Sequence, residues 1–120
     1  MPSPAISPLF DSDGDNSAQA ARATEGRLFY VHVVNPNAAD AYIQFFDVAA
    51  GSVTVGVTVP TLSFLVPAGN GTDAGAFDQW FGDRGIQFNT AITYACTTTA
   101  TGSTDPTTGL TVNIGHGGSG

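Results

Sequence analysis

Over residues 26–115, apolar side chains recur at every second position, in runs of four to eight residues. Alternate residues of a strand share one face, so each run can bury one face and leave the other to solvent. In RLFYVHVV, Phe29, Val31 and Val33 share a face, with Leu28, Tyr30 and His32 on the other. In AYIQFFD, Ile43 and Phe45 oppose Tyr42, Gln44 and Phe46. SVTVGVTV alternates Val53, Val55, Val57 and Val59 with Thr54, Gly56 and Thr58, and Pro60 closes it. TLSFLV aligns Leu62, Phe64 and Val66; AFDQWF and GIQF are short candidate strands around GDRG. TAITYACT places Ile92, Tyr94 and Cys96 together, and GLTVNIG adds Leu110, Val112 and Ile114. The turn formers Asn35-Pro36-Asn37, PAGNGTDAG and TTTATGSTDPTTG punctuate these runs. Seven to eight short strands predict an all-β antiparallel sandwich over residues 26–115, jelly-roll- or Ig-like.

Residues 1–25 differ. They hold three of the seven prolines and few large apolar groups, and predict an extended N-terminal arm with a short helix over residues 16–24. Ile6, Leu9 and Phe10 are apolar groups that such an arm could bury only on a partner. Residues 116–120 predict a flexible glycine tail.

DSDGDNSAQAAR, residues 11–22, opens like a calcium-binding EF-hand loop, with Asp11, Asp13 and Asp15 at alternate positions. The sixth position, which should be glycine, is Asn16, and the twelfth, which should be a bidentate glutamate, is Arg22. Prolines stand where the preceding helix belongs. The stretch reads as a solvated polar segment, and no metal or other cofactor is expected.

The charge balance narrows the partners. Three arginines and no lysine face ten acids, for a formal charge of −7. Nucleic acids and anionic membranes need clustered cations, so neither is expected as a partner. Cys96 is the only cysteine and has no internal disulfide partner. No signal peptide is visible, and the sequon Asn70-Gly71-Thr72 reads as an ordinary turn.

Catalysis needs a nucleophile, a base and an orienting group, or a metal. His32 lies in mid-strand beside Tyr30 and reads as a structural histidine; His116 falls in the glycine tail. Cys96 reads as an inert core thiol. Asp73, Asp78 and Asp83 read as solvated loop acids rather than a glycosidase pair. The chain is therefore expected not to be an enzyme. QWFGDRG is its most unusual stretch, joining Trp80 and Phe81 to Arg84, residue types enriched at interfaces. Alternatively, Trp80 plugs one end of the sandwich while Arg84 pairs with Asp78 or Asp83, or Trp80 stacks on a sugar. Ile6, Leu9, Phe10, Arg22, Trp80, Phe81 and Arg84 make up the candidate partner interface.

VHVVNPNAADAYIQFFDVAAG, VGVTVPTLSFLVPAG, GIQFNTAITYACTTTATGSTD and the closing TVNIGH occur in that order. In this the chain resembles small β-sandwich structural proteins of tailed bacteriophages, departing from them in its acidic N-terminal segment and around AFDQWFGDRG. The resemblance implies a virion protein made in the bacterial host cytoplasm, of the head-decoration or cement kind. It would bind the major capsid protein on the head exterior and other copies of itself, as a trimer at capsid three-fold positions. A carbohydrate- or receptor-binding module of a phage tail is the alternative, with Trp80 as the stacking platform.

Overall fold

The computed structural model describes residues 5–118; the remaining parts of the expected arm and tail, residues 1–4 and 119–120, lie outside the described residues. Among the described residues, nine strands form two antiparallel sheets: β1 (Ser7–Gly14), β2 (Gln19–Arg22), β3 (Gly26–Asn35), β4 (Ala41–Phe46), β5 (Leu62–Val66), β6 (Gly75–Trp80), β7 (Ile86–Phe88), β8 (Ile92–Thr97) and β9 (Leu110–Gly117). The order is β1-β9-β3-β6 in one sheet, with β7 also on β3, and β2-β8-β4-β5 in the other. We call these sheets A and B. Early strands pair with late ones, β1 with β9, β2 with β8 and β3 with β6, down to the consecutive pair β4 and β5. The chain thus behaves as one long hairpin rolled up so that its arms are shared between the sheets. That is jelly-roll topology, and it decides between the two sandwiches the alternation allowed.

The core between the sheets is built from the alternating residues. Val31, Val33, Ile43, Phe45, Ile92, Tyr94, Cys96, Leu110, Val112 and Ile114 are all buried in it. One face assignment reverses. The β3–β9 register slips between Leu28 and Tyr30, so Leu28 joins the core. Phe29 instead stacks on Trp80, with ring centroids 6.4 Å apart. A bulge adds one residue to one strand and flips the face of what precedes it.

Residues 5–25 are not an arm. β1 pairs Leu9 with Ile114 and Asp11 with Val112 along the edge of sheet A, while β2 pairs Gln19 with Tyr94 along the edge of sheet B. The short helix expected over residues 16–24 is replaced by β2. Edge strands with one wet face need few apolar residues, which gave this segment its arm-like composition. The acids belong to the fold. The buried Tyr94 hydroxyl donates to Asp11 Oδ2 at 2.7 Å, and Asp15 Oδ1 accepts the Ser17 N–H at 2.9 Å. The tail is also shorter than expected, because His116 and Gly117 are the last residues of β9.

The run at residues 53–59 is not a strand. A 3-10 turn, Ala50–Ser52, precedes a tight loop in which the Val57 and Thr58 amides both donate to the Thr54 carbonyl. Val59 is 83% exposed. Alternation shows that two faces exist; only a neighbouring strand makes one of them a core face.

Candidate functional site

The outer faces of the two sheets differ. On sheet B, Gln44, Phe46, Thr93, Ala95 and Thr97 have essentially no exposed surface, although they point away from the core. Two loops cover them. Gln44 Nε2 donates to Thr97 Oγ1 at 2.7 Å and to the Gly102 carbonyl at 3.0 Å; Ser63 Oγ donates to the Ala100 carbonyl; Thr93 Oγ1 donates to the Val48 carbonyl. Asp47 fastens the loop after β4. Its carboxylate accepts the Asn89, Thr90 and Ala91 amides at 2.7–3.3 Å. Partial burial pushes that carboxyl upward, but the three amide bonds outweigh it and hold the pKa below the ordinary value.

Among the described residues, none forms such a cover over the middle rows of sheet A. One row across the strands reads Pro8, Gly115, Tyr30, Trp80; the next reads Phe10, Asn113, His32, Asp78. Phe10 is 67% exposed and Trp80 is 50% exposed. The Tyr30 ring lies flat over Gly115, where any Cβ would collide with it. Phe29 supports Trp80 from beneath in a stacked arrangement, 25° from parallel. Lost glycine side chains and stacked rings together make a flat aromatic surface fixed to a rigid sheet. His32 Nδ1 stands 3.8 Å from Asp78 Oδ2 on this surface. The rest of that row is Phe10 and Asn113, neither of which is a nucleophile.

The expected interface residues divide. Phe10 and Trp80 lie on this face, and Ile6 is exposed just before β1. Leu9 and Phe81 instead pack against the core, Phe81 with its ring centroid 5.8 Å from that of Phe64. Phe81, not Trp80, therefore fills that part of the sandwich. Arg22 Nε donates to the Glu25 carbonyl within its own turn. Arg84 offers its carbonyl to Arg27 Nη1 at 2.8 Å, which pins the loop after Trp80, and Asp78 meets His32 rather than Arg84. Tyr30, Phe29 and Gly115 were not singled out in the sequence. The bulge and the strand register that assemble them join residues far apart in the chain.

The other titratable groups are buried or dispersed. Burial, and then the Asp11, Asp15 and Asp105 carboxylates, push the Cys96 thiol well up, as an inert core thiol requires. Burial and the bond to Asp11 likewise raise Tyr94. Burial, then Arg22, holds His116 below the usual imidazole value. Among the described residues, no three His, Cys, Asp or Glu side chains converge to hold a metal ion.

No protein-family model, curated protein or solved structure matches this chain.

Proposed function

We propose that this chain is a non-enzymatic structural protein of a phage particle, a decoration protein that lies on the outside of the head with sheet A against the shell. The observation that carries this reading is the contrast between the faces. Sheet B is closed by its own loops over β4 and β8, with only Leu65 on its β5 edge left exposed among its large apolar side chains, whereas sheet A presents Phe10, Tyr30 and Trp80 on a rigid, nearly uncharged surface. Exposed aromatics of this kind supply the buried anchors of protein interfaces. A chain of charge −7 docks most easily through a surface that few of its acids share, and Asp78 is the one acid in the two rows described. The occupant is accordingly a protein surface, the major capsid protein on the sequence resemblance, with further copies of the chain beside it as a trimer.

The test is binding to undecorated phage heads by wild type and by Trp80→Glu, with thermal melting of both. Trp80 is half exposed, so the variant is expected to fold. Loss of head binding by a folded variant supports the reading; equal binding by both proteins removes sheet A from it.

A second reading rests on Trp80 itself. One side of its ring is backed by Phe29 and the side chain is half exposed, as a sugar-stacking platform would be. Quenching or enhancement of Trp80 fluorescence by soluble oligosaccharides, without affinity for heads, would favour the carbohydrate-binding module instead.

A further inference from the structure

The β5–β6 connection carries Asn70-Gly71 at an exposed tip. Gly71 has φ +89°, in the left-handed region, and a Cβ built there would meet nothing within 4 Å. The Asn70 side-chain oxygen accepts the Thr72 amide at 3.0 Å and the Asp73 amide at 2.7 Å. Those two donors polarise the side-chain carbonyl and stand ready for negative charge on its oxygen, the arrangement that favours attack at Cγ. Among the described residues, no acceptor takes the Gly71 N–H. With no Cβ to shield it, that nitrogen is the natural attacker.

The other asparagines are arranged against the same reaction. Asn16 is followed by Ser17, whose amide is held by Asp15 Oδ1, and Asn89 by Thr90, whose amide is held by Asp47 Oδ1. Asn35 is followed by Pro36, whose nitrogen has no hydrogen to lose, and its own Nδ2 faces the Ala39, Val66 and Pro67 carbonyls. Asn37 is held at both ends of its amide by Asn35 and Thr108. Asn113 sits in mid-strand between β1 and β3.

We infer that Asn70 is a site of spontaneous modification, deamidating in the folded protein ahead of every other asparagine. The Gly71 nitrogen loses its proton and attacks Asn70 Cγ. A new N–Cγ bond closes a cyclic imide, the Cγ–Nδ2 bond breaks, and Nδ2 leaves as ammonia with a proton equivalent to the one released. Water then opens the ring. Cleavage at Cγ gives aspartate, and cleavage at the backbone carbonyl gives isoaspartate. One water is consumed, one ammonia is released and no electrons are transferred. The new carboxylate joins Asp40, Asp73 and Asp105 at the end of the sandwich opposite Arg22, Arg27 and Arg84, so the modified chain is more acidic at its already acidic end.

The experiment holds native full-length protein at mildly alkaline pH and follows it by isoelectric focusing and peptide mapping, beside Asn70→Gln. Glutamine keeps the amide but would have to close a larger, slower ring, and the position is exposed, so the fold is kept. A form one charge more acidic should accumulate in wild type, mapped to Asn70, and be absent from the variant over the same interval. If another asparagine converts first, or the acidic form builds up equally in Asn70→Gln, the inference is overturned.

Discussion

The two outer faces of this sandwich are built from similar strands and end in opposite states. Phe46 on sheet B and Phe10 on sheet A both point away from the core, yet Phe46 is fully buried and Phe10 is 67% exposed. Local sequence does not make this difference. The loops after β4 and β8 fold back over sheet B, held by Asp47, Gln44, Thr93 and Ser63, and convert an outer face into a second, partly polar layer of core. Sheet A spends its polar groups elsewhere. The lesson is that exposure of an aromatic on a strand depends on whether a loop returns to cover it, so the bare face is where unspent burial energy remains for a partner.

The largest break of this contrast comes from removing residues 1–25. That deletes one edge strand of each sheet, takes Phe10 from one face and strips β8 and β9 of one of their two partners each. The truncated chain should show no cooperative thermal transition by circular dichroism. A folded product with the wild-type melting temperature would restore the detachable arm.

Next in size is Phe46→Ala. Emptying a fully buried phenylalanine site costs about 3–5 kcal/mol, which urea unfolding should read as a lower midpoint with unchanged slope. If it costs no more than the same change at Phe10, the loops do not form a real cover.

Asp47 tests the cover by pH. Its folded pKa lies below the ordinary 3.8, so its stabilisation is complete above that value and is lost as pH falls through the lowered one. Asp47→Asn should be less stable than wild type at neutral pH, and the gap should close in acid. A gap that stays constant from neutral pH to well below 3.8 would separate the carboxylate from loop stability.

The smallest effect is expected at Phe10→Ala. An exposed site on an uncovered sheet changes stability by no more than about 0.5 kcal/mol. A loss comparable to that of Phe46→Ala would mean that sheet A is also covered in solution.

By itself the sequence determined that this is an all-β chain, and it marked β3 to β9 almost residue by residue. Period-two burial is a local property and needs only the next few residues to be visible. It also placed Cys96, Val112 and Ile114 in the core. Tertiary structure decided what depends on distant partners. Residues 7–14 are a strand because β9 lies beside them, and Asp11 can face inward because the Tyr94 hydroxyl, 83 residues away, meets it. Residues 53–59 alternate without being a strand, since among the described residues no neighbouring strand pairs with them. A single bulge moved Phe29 under Trp80 and put Leu28 in its place. The aromatic face follows from register across β1, β9, β3 and β6, where one residue of slip would send every side chain to the other side of the sheet.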